Sequence, residues 1–220
     1  MNRKSRAAIA GIHHPPYALL MRALHTTVRL GTYVTLLALC LALPLSASAG
    51  KKKDAQRAWE AAMSAGDEAA REGRVDHAVT LYRQAMDLAT PFGERGLRMA
   101  RSIDGLADVL YVHGRYEEAE PLYLESLAIW EELFGPDQPR SATTAHNLGA
   151  VYLAQKRYAE AEPMFQRAME VWSHHFGEDS REVALALDAR ATLLQKQDRW
   201  DEAEPLRLRA LAIRRSLGLE

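Results

Sequence analysis

Through most of the chain, apolar residues return three and four positions apart rather than at alternate positions. Ala161, Met164, Phe165, Ala168, Val171 and Trp172 stand at offsets of 0, 3, 4, 7, 10 and 11, which is one face of an α-helix. Upstream, Ala145, Leu148, Gly149, Tyr152 and Leu153 keep the same rhythm and predict a partner helix. Each such unit reads as an antiparallel helical hairpin.

The unit recurs. A shift of 42 residues aligns RYEEAEPLY (115–123), RYAEAEPMF (157–165) and RWDEAEPLR (199–207). The register extends through Leu127, Met169 and Leu211, through Ile129, Val171 and Ile213, and back to Ala107, Gly149 and Ala191. Phe92, Phe134 and Phe176, each followed by Gly, keep the same interval, and a weaker copy, GRVDHAVTLYRQAMDL (73–88), precedes them at a spacing of 41. A fixed period of this length signals stacked units, none of which buries its apolar face alone. The expected fold is all-α: a superhelical solenoid of about four hairpins at roughly 58–90, 98–133, 140–175 and 181–217.

Local signals agree. Gly73 and Gly114 suit the left-handed residue that ends a first helix, and Asp179 with Glu182 reads as an N-cap and its reciprocal carboxylate. Glu117, Glu118 and Glu120, then Glu160 and Glu162, then Asp201, Glu202 and Glu204 place negative charge at the starts of the second helices, where the macrodipole favours it. Pro121, Pro163 and Pro205 are tolerated only near a helix start, which puts those starts near residues 117, 159 and 201. Ala107, Gly149 and Ala191 on the first helices, with Ala119, Ala161 and Ala203 on the second, allow close approach. Tyr123 and Phe165 fill the space between hairpins.

Composition divides the chain near residue 50. The first 49 residues hold five of the 28 basic residues and no acid, so the rest carries 23 basic against 29 acidic side chains. Leu30 to Leu45 is an apolar run of 16 residues, shorter than the ~20 that cross a bilayer. Ala47 and Ala49 flank Ser48 in the pattern a signal peptidase accepts. Residues 1–49 are therefore expected to be a signal peptide cut after Ala49, with Met21 as an alternative start and an uncleaved membrane anchor as the alternative reading. Cys40, the single cysteine, lies in this leader, and Leu39 before it departs from a lipidation box. Residues 50–57, with Lys51, Lys52 and Lys53, are expected to be a flexible basic start. The mature chain then holds no disulfide and no membrane span, and its expected location is the periplasm, with secretion or N-terminal anchoring as alternatives.

LADVLYVHGRYEEAEPLY, its copy NLGAVYLAQKRYAEAEPMF, and the LFGPDQP and HFGEDSR loops resemble tetratricopeptide repeats, in the longer variety found in kinesin light chains and many bacterial proteins. The resemblance covers roughly residues 58–217. It implies a right-handed superhelix whose first helices line a concave groove holding an extended peptide or a partner helix. Such grooves commonly carry Asn pairs. Here only Asn147 remains, preceded by His146, while Asp104 with Gly105 and Asp188 with Ala189 hold the matching places. The last copy departs further, with Arg190 at a core Leu position and Arg207 where Tyr123 and Phe165 stand. No capping helix follows it, and Arg207, Arg209, Arg214 and Arg215 are positioned to solvate that end.

The chain has no phosphate loop, dinucleotide fingerprint, zinc-protease or calcium-loop spacing, so no catalytic residue, cofactor or metal is assigned. Glu170 and His174 at i, i+4 suit a helix C-terminus better than a metal. Trp130 and Trp172 recur in register as packing residues, and the acidic mature chain does not suit nucleic acid. Groove side chains, expected to turn away from their own second helix, are Arg101, Asp104, Asp108, Tyr111, His146, Asn147, Asp188, Thr192, Gln195 and Lys196. Polar and somewhat acidic, they suit a basic partner segment with Tyr111 as anchor. The function expected is a non-enzymatic protein-interaction adaptor of the cell envelope. The alternative is an assembly subunit that forms homo-oligomers through its terminal hairpins.

Overall fold

The computed structural model describes residues 50–219, so the expected signal peptide and Glu220 lie outside the described residues. The chain divides into residues 1–51 and 52–220, and the second unit is described below. Helix α1 covers residues 50–71. It is followed by α2 (Val75–Ala89), a 3₁₀ turn (Thr90–Phe92), α3 (Leu97–Val112), α4 (Tyr116–Phe134), α5 (Pro139–Ala154), α6 (Tyr158–Phe176), α7 (Arg181–Lys196) and α8 (Trp200–Ser216). The second helices α4, α6 and α8 pack on their own first helices, α2, α4 and α6 pack on the first helix of the next hairpin, and α3 touches α5 as α5 touches α7. The result is an all-α solenoid of four hairpins among the described residues.

Residues 50–57 correct one expectation, because they continue α1 rather than forming a flexible start. Lys, Ala, Gln and Arg are good helix formers. Gln56 bonds Glu60 one turn on at 2.8 Å, and its Oε1 accepts from Arg98 at 2.6 Å.

The tight turns share one solution. Gly73 and Gly114 have φ of 72° and 74°, and Lys156 and Asp198 take the same left-handed conformation at 63° and 62°. In each turn the following arginine closes a six-residue bond, as in Arg115 N–H to Leu110 O at 2.9 Å and Arg157 N–H to Tyr152 O at 2.8 Å, which satisfies carbonyls that a helix end orphans. At the other end of each unit the cap of α7 is Ser180, whose hydroxyl accepts from Val183 N–H at 3.4 Å, and not Asp179.

Pro121, Pro163 and Pro205 lie inside α4, α6 and α8, slightly past the first turn. Each therefore removes one intrahelical bond. The orphaned carbonyls belong to Glu117, Ala159 and Asp201, all exposed residues.

A continuous apolar seam runs through all four hairpins and includes Tyr82, Leu106, Tyr123, Leu148, Phe165 and Leu193, all buried. The alanines at 107, 119, 161, 191 and 203 are fully buried at the crossings. A Cβ on Gly149 would meet Phe165 Cε1 at 2.9 Å, so the small residue there is a packing requirement. Trp130 and Trp172 are buried beside the seam in separate clusters. Among the described residues no helix is long and apolar enough to cross a membrane.

Candidate partner-binding groove

The first helices α3, α5 and α7 lie side by side and carry the expected groove residues. One repeat position organises the face: Asp104, His146 and Asp188 are 42 residues apart, and each turns toward its own second helix instead of away from it. Asp104 accepts from the Trp130 indole N–H at 2.8 Å and from the Ser126 hydroxyl. The His146 ring lies 5.2 Å from the rings of Phe165 and Trp172. Asp188 is paired with Arg214, which holds the place of Trp130 and Trp172.

The acidic residues are thus committed to the fold. Asp108 Oδ1 accepts from the Tyr123 hydroxyl at 2.5 Å and from Asn147 Nδ2 at 3.2 Å. Burial raises the carboxyl of Asp104 above its usual range, against the hydrogen bonds and the Arg140 charge that lower it. For Asp108, crowding by the neighbouring helices, reinforced by Asp104 and Asp67, pushes the pKa up to about 6 although solvent still reaches the residue. Tyr111 packs on Tyr116 at 5.7 Å and against the core seam, so it is not a free aromatic anchor. Thr192 donates to the Asp188 carbonyl at 2.8 Å, Gln195 accepts from Arg207 at 2.7 Å, and Lys196 ends α7 exposed. The carboxylates of Asp104, Asp108 and Asp188 are thus each held by a partner within the protein.

The open space lies nearer the starts of the first helices. A cavity of about 530 Å³ is lined by Thr143, His146 and Asn147 of α5, by Trp172 of α6, by Arg181, Glu182, Leu185 and Asp188 of α7, and by Arg214 and Leu219. One repeat earlier, a cavity of about 380 Å³ is lined by Leu97, Arg101, Trp130, Phe134, Pro139 and Arg140. Arg101 lies over the Trp59 ring at 5.2 Å and Arg140 over Trp130 at 5.8 Å. A third, of about 360 Å³, includes Asp67, Tyr82, Asp108 and Val112. The expected residues therefore fall into separate cavities: Arg101 in one, Asp108 in another, and His146, Asn147 and Asp188 together in the cavity of about 530 Å³. Leu97, Phe134, Arg140, Arg181 and Leu185 were missed. The period itself held a signal, since moving Arg101 forward by 42 gives Thr143 and then Leu185.

Glu170 accepts from Gln166 at 2.5 Å, and His175 Nε2 lies 2.7 Å from the Asp137 carbonyl oxygen. Among the described residues no group of three or more His, Cys, Asp or Glu side chains is arranged to hold a metal ion.

Comparison with known proteins agrees with this architecture. BtubC (BKLC) from P. vanneervenii superposes with a TM-score of 0.66 at 23% identity, over 73% of this chain and 64% of that one. A kinesin light chain protein with nearly identical TPR-like repeats from Podosopora anserina gives 0.62 at 18% identity, covering 71% and 75%. A Rap protein complexed with competence and sporulation factor gives 0.63 at 17%, covering 73% and 43%. The chain thus spans less than two thirds of BtubC and less than half of that Rap protein, and these likenesses establish the fold. No curated protein matches the sequence significantly. The model of the tetratricopeptide repeat matches residues 98–173 and 140–216, together more than half of the chain. Period, hairpin geometry and family match converge: the chain belongs to the tetratricopeptide repeat family.

Proposed function

We propose that this protein is a non-enzymatic adaptor of the cell envelope, exported by its N-terminal segment, that binds a segment of another protein along the face of α3, α5 and α7. The observation that carries the reading is a pair of cavities one repeat apart on that face, between α3 and α5 and between α5 and α7. Their walls combine exposed apolar Leu97, Phe134 and Leu185 with arginines. Such a mixture of apolar contact and positioned polar groups suits recognition. A Rap protein with this fold is complexed with competence and sporulation factor, which supports a binding role for the repeat without specifying the ligand. The A-x-A pattern before Gly50 and the acid-free leader support export.

The test is capture from the native compartment. Leu97→Lys with Phe134→Lys changes two exposed side chains at the smaller cavity, so the variant is expected to melt like wild type. Partner recovery should fall by about tenfold or more, as for loss of two interface contacts. Undiminished recovery sinks the reading. Amino-terminal sequencing that does not begin at Gly50 would remove its export component.

A further inference from the structure

The cavity between α5 and α7 is lined by a histidine with one ring nitrogen that has no partner among the described residues. His146 lines it while only 8% exposed, and Nδ1 is enclosed with no hydrogen-bond partner among the described residues. Nε2 is not enclosed in this way. Among the described residues no bond fixes which nitrogen carries the proton, so Nε2 is able either to donate or to accept. Burial pushes the pKa down to about 4, and the ring therefore offers a dipole at neutral pH. The same repeat position in the flanking hairpins holds Asp104 and Asp188, and both are bonded to their second helices.

The surroundings constrain what can enter. Asp188 and Arg214 are bonded to each other, and Arg181 faces the cavity together with Glu182, so the charges on its wall balance. Trp172, Ala184, Leu185 and Leu219 supply apolar surface. A charged group would give up hydration with no unmatched countercharge to receive it. A purely apolar ring would leave the imidazole unbonded, which costs affinity.

We infer that this cavity takes an uncharged aromatic ring bearing one hydroxyl, the tyrosine side chain of a partner segment, with the hydroxyl hydrogen-bonded to His146. The inference rests on the adaptor reading above and adds the chemistry that the partner presents. A phenol both donates and accepts, so it pairs with either tautomer of the imidazole. At about 530 Å³ the space falls within the range of small-ligand pockets and leaves room for the flanking backbone.

The probe is p-cresol, the tyrosine side chain alone, with toluene and 4-methylbenzoate as its apolar and anionic counterparts. In the full-length protein carrying ring-labelled histidine, p-cresol should shift the His146 resonances saturably and leave those of His77 and His113 in place. Toluene and 4-methylbenzoate should bind weaker by about tenfold or more, the equivalent of one lost hydrogen bond. Leu185→Arg, at a mouth position 51% exposed, should weaken p-cresol similarly without unfolding the chain. Equal binding of toluene, tighter binding of 4-methylbenzoate, an unmoved His146 signal, or an unaffected Leu185→Arg variant would each overturn the assignment. Partner capture is tested separately, through Leu97 and Phe134 in the other cavity.

Discussion

At the scale of single residues, His146 and Asp108 give the protein two opposing responses to acid. Burial lowers the His146 pKa from 6.5 to about 4, so in that window the unfolded chain binds more protons than the folded one. Stability from this residue is fully present above pH 6.5 and falls as pH drops to about 4, by up to about 3 kcal/mol. Asp108 runs the other way. Its pKa is raised from 3.8 to about 6, so its contribution is complete below 3.8 and is lost as pH rises through 6, less so because solvent still reaches it. Denaturant midpoints at pH 7 and pH 4.5 should show His146→Gln losing less stability on acidification than wild type. An unchanged difference between the two pH values would mean that His146 does not titrate in this window.

Between elements, α2 comes into close contact with α3 at the Tyr82 ring. A Cβ on Gly105 would collide with the Tyr82 ring, and one on Gly66 would come within 3.0 Å of it. The ring cannot yield easily, because its hydroxyl donates to Asp67 at 2.5 Å. Tyr82 therefore joins its own first helix to the first helix of the next hairpin. Gly105→Ala should destabilise by about 1–3 kcal/mol through overpacking, read from chemical unfolding. In a Tyr82→Leu background the same change should cost less, a non-additivity expected of touching residues. Full additivity would place the strain elsewhere. The salt bridges make a smaller contribution: Arg115 with Glu118, Arg157 with Glu160 and Arg199 with Glu202 repeat in register at exposed positions, where each pair is worth little.

For the molecule as a whole, the fourth hairpin departs from the pattern of the other three. Arg207 stands in register with Tyr82, Tyr123 and Phe165, and Arg214 with Trp130 and Trp172. Tyr82 shows what the first position does in an inner hairpin, since it fills the gap to the next one. In the fourth hairpin that place is charged, with Arg207 bonded to Gln195 at 2.7 Å and Arg214 to Asp188. Trp200 and Leu208 on α8 are each 58% exposed, yet the two arginines would lose hydration if another hairpin were stacked there. The wild type should therefore sediment as a monomer, and Arg207→Tyr with Arg214→Trp should promote self-association. A stable wild-type dimer that dissociates when Leu211 and Ile213 are changed would favour the assembly role instead.

The sequence alone determined the helices, their pairing, the period and the family, because these follow from local spacing: 3.6-residue apolar faces, turn glycines, prolines near helix starts and a 42-residue repeat. Where local chemistry allowed two outcomes, the spacing of the repeat still held. Lys156 and Asp198 adopt the left-handed turn that Gly73 and Gly114 adopt freely, since the register around them is set by the hairpin. The direction of each polar side chain was decided only by the packed structure. Asp104, Asp108 and Asp188 looked like an open acidic surface, but their partners Trp130, Tyr123 and Arg214 lie 15 to 26 residues away and meet them only once the helices cross. The unpartnered nitrogen of His146 and the cavity beside it arise in the same way, from the gap left where neighbouring hairpins meet, and no pattern along a single helix encodes that gap.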